Sequence, residues 1–156
     1  METRKIVKIT GIIVIALIIN AAIAYVLYHV VSERKLMSVI EDMDAITVVL
    51  IAEFEGTKLG DSEQCEQKLL HIGETLYSEI EGRIEFIQEY TSRDATDETK
   101  AQLAQLQEES KDAGFSFSSA ALNECRLNNL QKPAADKLKQ SLLKLREDIQ
   151  KLKEFM

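Results

Sequence analysis

Leu17-Ile18-Ile19-Asn20-Ala21-Ala22-Ile23-Ala24-Tyr25 (LIINAAIAY) admits two incompatible readings. Ala22-Ile23-Ala24 has the small-x-small form of a signal-peptide cleavage site, and Arg4, Lys5 and Lys8 ahead of the apolar run supply the basic start such a peptide needs. The same letters also fit the middle of a membrane-spanning helix. Working outward favours the second reading. Apolar character continues past Ala24 through Tyr25-Val26-Leu27-Tyr28-His29-Val30-Val31, so residues 9–31 carry no formal charge. At about 1.5 Å per residue that length crosses a hydrocarbon core of roughly 30 Å. The sequence therefore predicts an uncleaved anchor over 9–31 behind a short cytoplasmic leader, 1–8.

Within that span, Ala16, Asn20 and Ala24 recur every fourth residue and share one helix face. Two small residues flanking an amide allow a neighbouring membrane helix to approach closely and to hydrogen-bond across the gap, for about 1 kcal/mol. The expected neighbour is another membrane protein, or a second copy in a homo- or hetero-oligomer. Orientation follows from the basic residues: three precede the span, Arg34 and Lys35 follow it, and the short leader favours an inside N-terminus. Residues 32–156 are then expected outside the cytoplasm, in a bacterial periplasm.

The composition of that region favours helix: it is rich in Leu, Glu, Lys, Gln and Ala, and the whole chain has one proline and no tryptophan. The net charge of −7 conceals an asymmetry. Residues 38–124 carry 6 basic against 20 acidic side chains, whereas residues 125–156 carry 8 against 4. An acidic body argues against a nucleic-acid binder, which needs a basic surface to displace counterions.

An all-α bundle of four to five helices is expected. A first helix continues from the span through Leu36, Ile40, Met43, Ile46, Leu50 and Phe54 until Gly56 and Gly60 break it. Within it, Val48-Val49-Leu50-Ile51 is apolar all round, a feature of multiply covered helices or of a surface for a partner. Asp61 and Gln64 form a capping-box pattern opening a second helix. Its apolar residues Cys65, Leu69, Ile72, Leu76, Ile80, Ile84, Ile87 and Tyr90 follow spacings looser than a heptad, so the stripe is expected to drift around the core. Gly73 and Gly82 read as tolerated weak points. After a polar loop over 91–97, Thr96 or Asp97 caps a third helix that ends near Ala113-Gly114. A fourth then carries Phe115, Phe117, Ala120, Leu122, Leu127 and Leu130. Pro133 either starts a new helix or kinks a continuous one.

The last segment has the clearest pattern. Ala135, Leu138, Leu142, Leu145, Ile149, Leu152 and Met156 alternate three and four apart, an a/d seam over three heptads. It suits a bundle helix packed on its own domain, or a coiled coil with a partner. Being the basic segment of an acidic chain, it has a charge reason to dock on its own first helices.

Chemistry is sparse. His71 with Glu74 lacks the duplicated Glu-x-x-His of a di-metal bundle and the three or four ligands of a zinc site. No phosphate loop or nucleophile motif occurs. The expectation is no catalysis, no metal and no cofactor. Cys65 and Cys125 are the one remaining constellation: outside the cytoplasm they could pair, closing a loop of about 60 residues for roughly 4 kcal/mol.

These features point to a membrane-anchored structural or assembly subunit of an envelope complex. Two other classes fit less well. The anchor-plus-bundle layout resembles the extracytoplasmic half of chemoreceptor-type sensors, which implies ligand binding and signalling through a membrane partner. Receptors of that kind carry a second span and a signalling module, and neither occurs within these 156 residues. A spanin-like phage or toxin-type regulator of the envelope shares the single-span, helical-body plan.

Overall fold

The computed structural model describes residues 2–91 and 95–155, and the side chains of 17–91 and 95–154. The side chains of the expected leader 1–8, loop residues 92–94 and Met156 lie outside that set. Every regular element among the described residues is helical: α1 (Glu2–Glu55), α2 (Ser62–Thr75), α3 (Glu81–Thr91), α4 (Asp97–Ala120) and α5 (Lys132–Phe155). A π turn at Leu76–Ile80 joins α2 to α3, and another at Ala121–Cys125 extends α4. The chain divides into two compact units, residues 1–36 and 37–156.

In the first unit the described side chains are those of residues 17–36. Leu17, Ile18, Ile19, Ile23, Val26 and Leu27 are all exposed, as are Tyr25 and Tyr28. Among the described residues no helix is long and apolar enough to cross a membrane. Residues 9–16, the first part of the expected span, lie outside the described side chains. The remaining 17–31 reach only about 22 Å at 1.5 Å per residue, short of a hydrocarbon core. The transmembrane segment is thus not established by the structure.

The described residues of the second unit form a four-rod helical bundle. Ion pairs and hydrogen bonds between the rods mark which ends meet. Lys153 and Lys139 of α5 reach Glu41 and Glu55 of α1, at 3.0 and 2.7 Å, so these two helices run antiparallel. Lys68 of α2 meets Glu53 of α1 at 2.8 Å. Gln88 of α3 bonds Gln107 of α4, while Arg126 beyond α4 reaches back to Glu66 of α2. Lys144 of α5 holds Glu109 of α4 at 2.6 Å. The rods alternate in direction, and each exposed pair stabilises by under about 1 kcal/mol, so they select neighbours while apolar burial supplies the cohesion.

Caps set where the rods begin. Asp61 Oδ1 accepts from Gln64 N–H at 3.1 Å. The Gln64 side chain accepts from Lys58 N–H rather than closing the reciprocal bond onto Asp61. Thr96 caps α4 by accepting from Thr99 N–H. Pro133 occupies the first turn of α5, where its missing N–H costs nothing.

Two features depart from the sequence reading. The helix expected to stop at Ala113-Gly114 continues to Ala120 and through the second π turn, because Gly114 serves a close contact and not a stop. It ends at Cys125, not beyond Leu130. Asn128 takes a left-handed conformation (φ 53°), which Asn tolerates better than most residues, and Leu127 is left in solvent. The α2–α3 stripe also does not wander between Cys65 and Ile87, although Tyr90 at its end is exposed. The 4-4-4 run from Ile72 to Ile84 has a longer period than an α-helix, and the underwound π turn at Leu76–Ile80 absorbs the difference. Ile72, Leu76, Ile80 and Ile84 are consequently all fully buried. On α1, Thr47 takes the inward position expected of Ile46, its hydroxyl donating to Met43 O at 2.7 Å.

Candidate functional surfaces

Cys65, in the first turn of α2, and Cys125, closing the second π turn, form a disulfide with Cα atoms 5.5 Å apart. It ties two ends that the alternating rods already bring together. Both cysteines are fully buried.

The seam residues Ala135, Leu138, Leu142, Leu145, Ile149 and Leu152 are buried within the chain's own bundle; Met156 lies outside the described residues. An intermolecular coiled coil along this seam would require α5 to leave α1 and α4, re-exposing side chains worth about 1.5–3 kcal/mol each. The residues flanking the seam bind the other rods: Arg146 donates to Asp44 at 2.9 Å, and Gln150 shares the same carboxylate.

The proposed membrane-facing stripe is only partly described. Asn20 and Ala24 are exposed, and the side chain of Ala16 lies outside the described residues. Farther along α1, Val48 and Val49 are exposed while Leu50 is buried and Ile51 half-buried, so half of the apolar run is an outward patch. His71 is exposed and lies 3.6 Å from Glu53, and Glu74 is not drawn into a shared site with it. Among the described residues no group of three His, Cys, Asp or Glu side chains could hold a metal ion.

A cleft of about 700 Å3 opens where α4, the second π turn and the start of α5 meet. Phe115, Ser119, Glu124, Asn129, Lys137 and Leu138 are among its lining residues. Its volume falls within the range of small-molecule sites.

Between α4 and α5 lies a carboxyl pair that no sequence motif marks. Glu109 Oε1 accepts from Lys144 Nζ at 2.6 Å and from Gln105 Nε2 at 2.9 Å. Asp148 Oδ1 accepts from Lys151 Nζ at 3.0 Å. Their second oxygens, Glu109 Oε2 and Asp148 Oδ2, are buried and meet no donor. Burial and the neighbouring Glu109 raise the Asp148 pKa. For Glu109, burial acts upward, but hydrogen bonding with Asp148, Lys144 and Gln105 outweighs it and the net direction is down. The signal in sequence was positional: Asp148 falls three residues after Leu145 and four before Leu152, hence on the core flank of α5.

Comparison of the chain with protein families, with curated proteins and with solved structures returned no match.

Proposed function

We propose that this chain is a membrane-anchored structural or assembly subunit of an envelope protein complex. Residues 9–31 cross the bilayer once, and the bundle 37–156 stands on the extracytoplasmic side, acting through helix–helix contacts rather than catalysis. The observation that carries this reading is the exposure of the large apolar side chains between Leu17 and Val31, interrupted only by Asn20 and His29 among the polar residues there. A helix apolar on every side needs an apolar surround, and the uncharged residues 9–16 extend it to bilayer length. The outward Val48-Val49 patch supplies a contact for a partner, and a disulfide suits an oxidising compartment.

The test is carbonate extraction of membranes from expressing cells, followed by crosslinking and native electrophoresis. Retention in the pellet together with migration in a large assembly is the expected result. Release by carbonate overturns the anchor. A carbonate-resistant monomer without crosslinked partners overturns the assembly role.

A second reading, a sensory bundle signalling through a membrane partner, draws on the cleft beside Phe115 and Lys137. Ligand-dependent thermal stabilisation of the full chain, lost in Lys137→Glu, is its expected mark.

A further inference from the structure

The Glu109–Asp148 contact has an unusual inventory of donors. Each carboxyl group has one oxygen on a lysine and one oxygen buried without a donor. Asp148 is only 7 % exposed and Glu109 18 %. Lys144, which holds Glu109 at 2.6 Å, stands one helical turn before Asp148 on α5, so both carboxyl groups belong to the same α4–α5 contact. As two carboxylates they are acceptors on both sides, and two like charges in a sheltered contact repel. One proton placed between the buried oxygens satisfies both at once.

We propose that Glu109 and Asp148 share a single proton across the α4–α5 contact, making the last helix a latch that holds while that proton is bound and loosens as it is lost. The proton resides on Asp148 Oδ2 and is donated to Glu109 Oε2; on deprotonation it passes to water and leaves two carboxylates facing each other.

Among the described residues, the charged groups facing the pair come from α4 and α5: Lys144 on Glu109, and Lys151 shared between Asp148 and Glu147. Nearby charges on the other rods are engaged elsewhere. Glu41 and Asp44 of α1 hold Lys153 and Arg146, and Glu81 of α3 holds Lys111. The two lysines compensate the pair's charge from outside without reaching its buried oxygens.

The sign of the pH dependence comes from linkage. The Asp148 pKa is raised in the folded chain, so its contribution is full below the ordinary aspartate value and is lost as pH rises through the raised value. The Glu109 pKa is lowered, so its contribution is present above the ordinary glutamate value and is lost as pH falls through the lowered one. The pair titrates as a unit and is tightest between those limits. Across the Asp148 window, the folded state holds one proton more than the unfolded, and each pH unit raises the opening equilibrium by up to about tenfold.

The experiment is urea unfolding of the full chain in mild detergent, monitored by helical circular dichroism across a pH series from the ordinary aspartate value to neutrality and beyond. Amide exchange of α5 is read in parallel. The wild type is expected to lose midpoint urea concentration as pH rises, with faster α5 exchange. Asp148→Asn supplies a permanent amide donor toward Glu109 and should flatten that dependence; Glu109→Gln supplies the reciprocal donor and should do the same. A wild-type midpoint that does not fall, or a fall reproduced by both variants, overturns the shared proton. Should Asp148→Asn fail to fold, Glu109→Gln decides. The result is independent of whether the anchor reading holds, which carbonate extraction judges separately.

Discussion

Gly73 of α2 and Gly114 of α4 meet backbone to side across the bundle. A Cβ on Gly73 would come within 3.0 Å of Gly114 O and run into Ser118 Oγ; one on Gly114 would lie 3.3 Å from Gly73 O and 2.9 Å from the Tyr77 ring. Both glycines exist for close approach, and neither has the positive φ that would require glycine on conformational grounds.

Gly73→Ala should therefore destabilise the chain. Overpacking against a backbone carbonyl costs about 1–3 kcal/mol, and the gain in helix propensity returns at most about 1 kcal/mol. Gly82→Ala, with nothing within 4 Å of the added carbon, should stabilise by about 0.4–1 kcal/mol. Thermal melts of the two variants are expected to move in opposite directions. Gly114→Ala should be the milder of the two inward changes, because the half-exposed Tyr77 ring can swing aside.

Removing the disulfide should cost about 4 kcal/mol by the chain-entropy estimate for a sequence separation of 60. Cys65→Ser and Cys125→Ser should each lower the urea midpoint by a similar amount, and the double variant should lose no more than either. Reductant should shift the wild type to meet them. Labelling of both thiols in the native, unreduced protein would show the bond to be absent.

Phe117→Ala should be the most damaging single truncation in the core. Phe117 is fully buried and meets Phe54 edge to face, with ring centroids 5.5 Å apart, so the change opens a cavity between α1 and α4. A loss of about 3–5 kcal/mol is expected. Phe54→Ala should fall slightly short of it, and a double-mutant cycle should give a coupling of about 0.5–1.5 kcal/mol beyond area burial.

If residues 9–31 span the bilayer, Ile23→Asp places a carboxylate near mid-membrane at a cost of about 2.5–3.5 kcal/mol on an insertion scale. The expected outcome is a reduced membrane fraction on carbonate washing, while Ile23→Leu behaves as wild type. Equal partition of both variants would count against insertion.

Much of the bundle could be deduced from sequence because apolar spacing and capping act locally. The seam from Ala135 to Leu152, the Asp61 and Thr96 caps and the Cys65–Cys125 pairing all stem from short patterns or from residue type. The continuity of α4 through Gly114 did not, because a glycine that ends a helix and one that admits a neighbour look the same until the neighbour is known. The Glu109–Asp148 pair escaped for a similar reason: each carboxylate is ordinary on its own helix, and only the antiparallel packing of α4 on α5 brings them together. The expected membrane span stands differently, since its apolar length is plain in the letters while its first third, residues 9–16, falls outside the described side chains.

The π turn at Leu76–Ile80 amounts to one surplus residue accommodated in an otherwise regular rod. Deleting Ser78, which is exposed there, would let the rod close up as plain α-helix with Leu76 and Ile80 three apart and still on one face. The same excision at an ordinary turn, for instance Gln67, would rotate everything downstream by about 100° and turn the buried stripe toward water. This short segment is thus the place in the rod where the chain can change length and keep its fold.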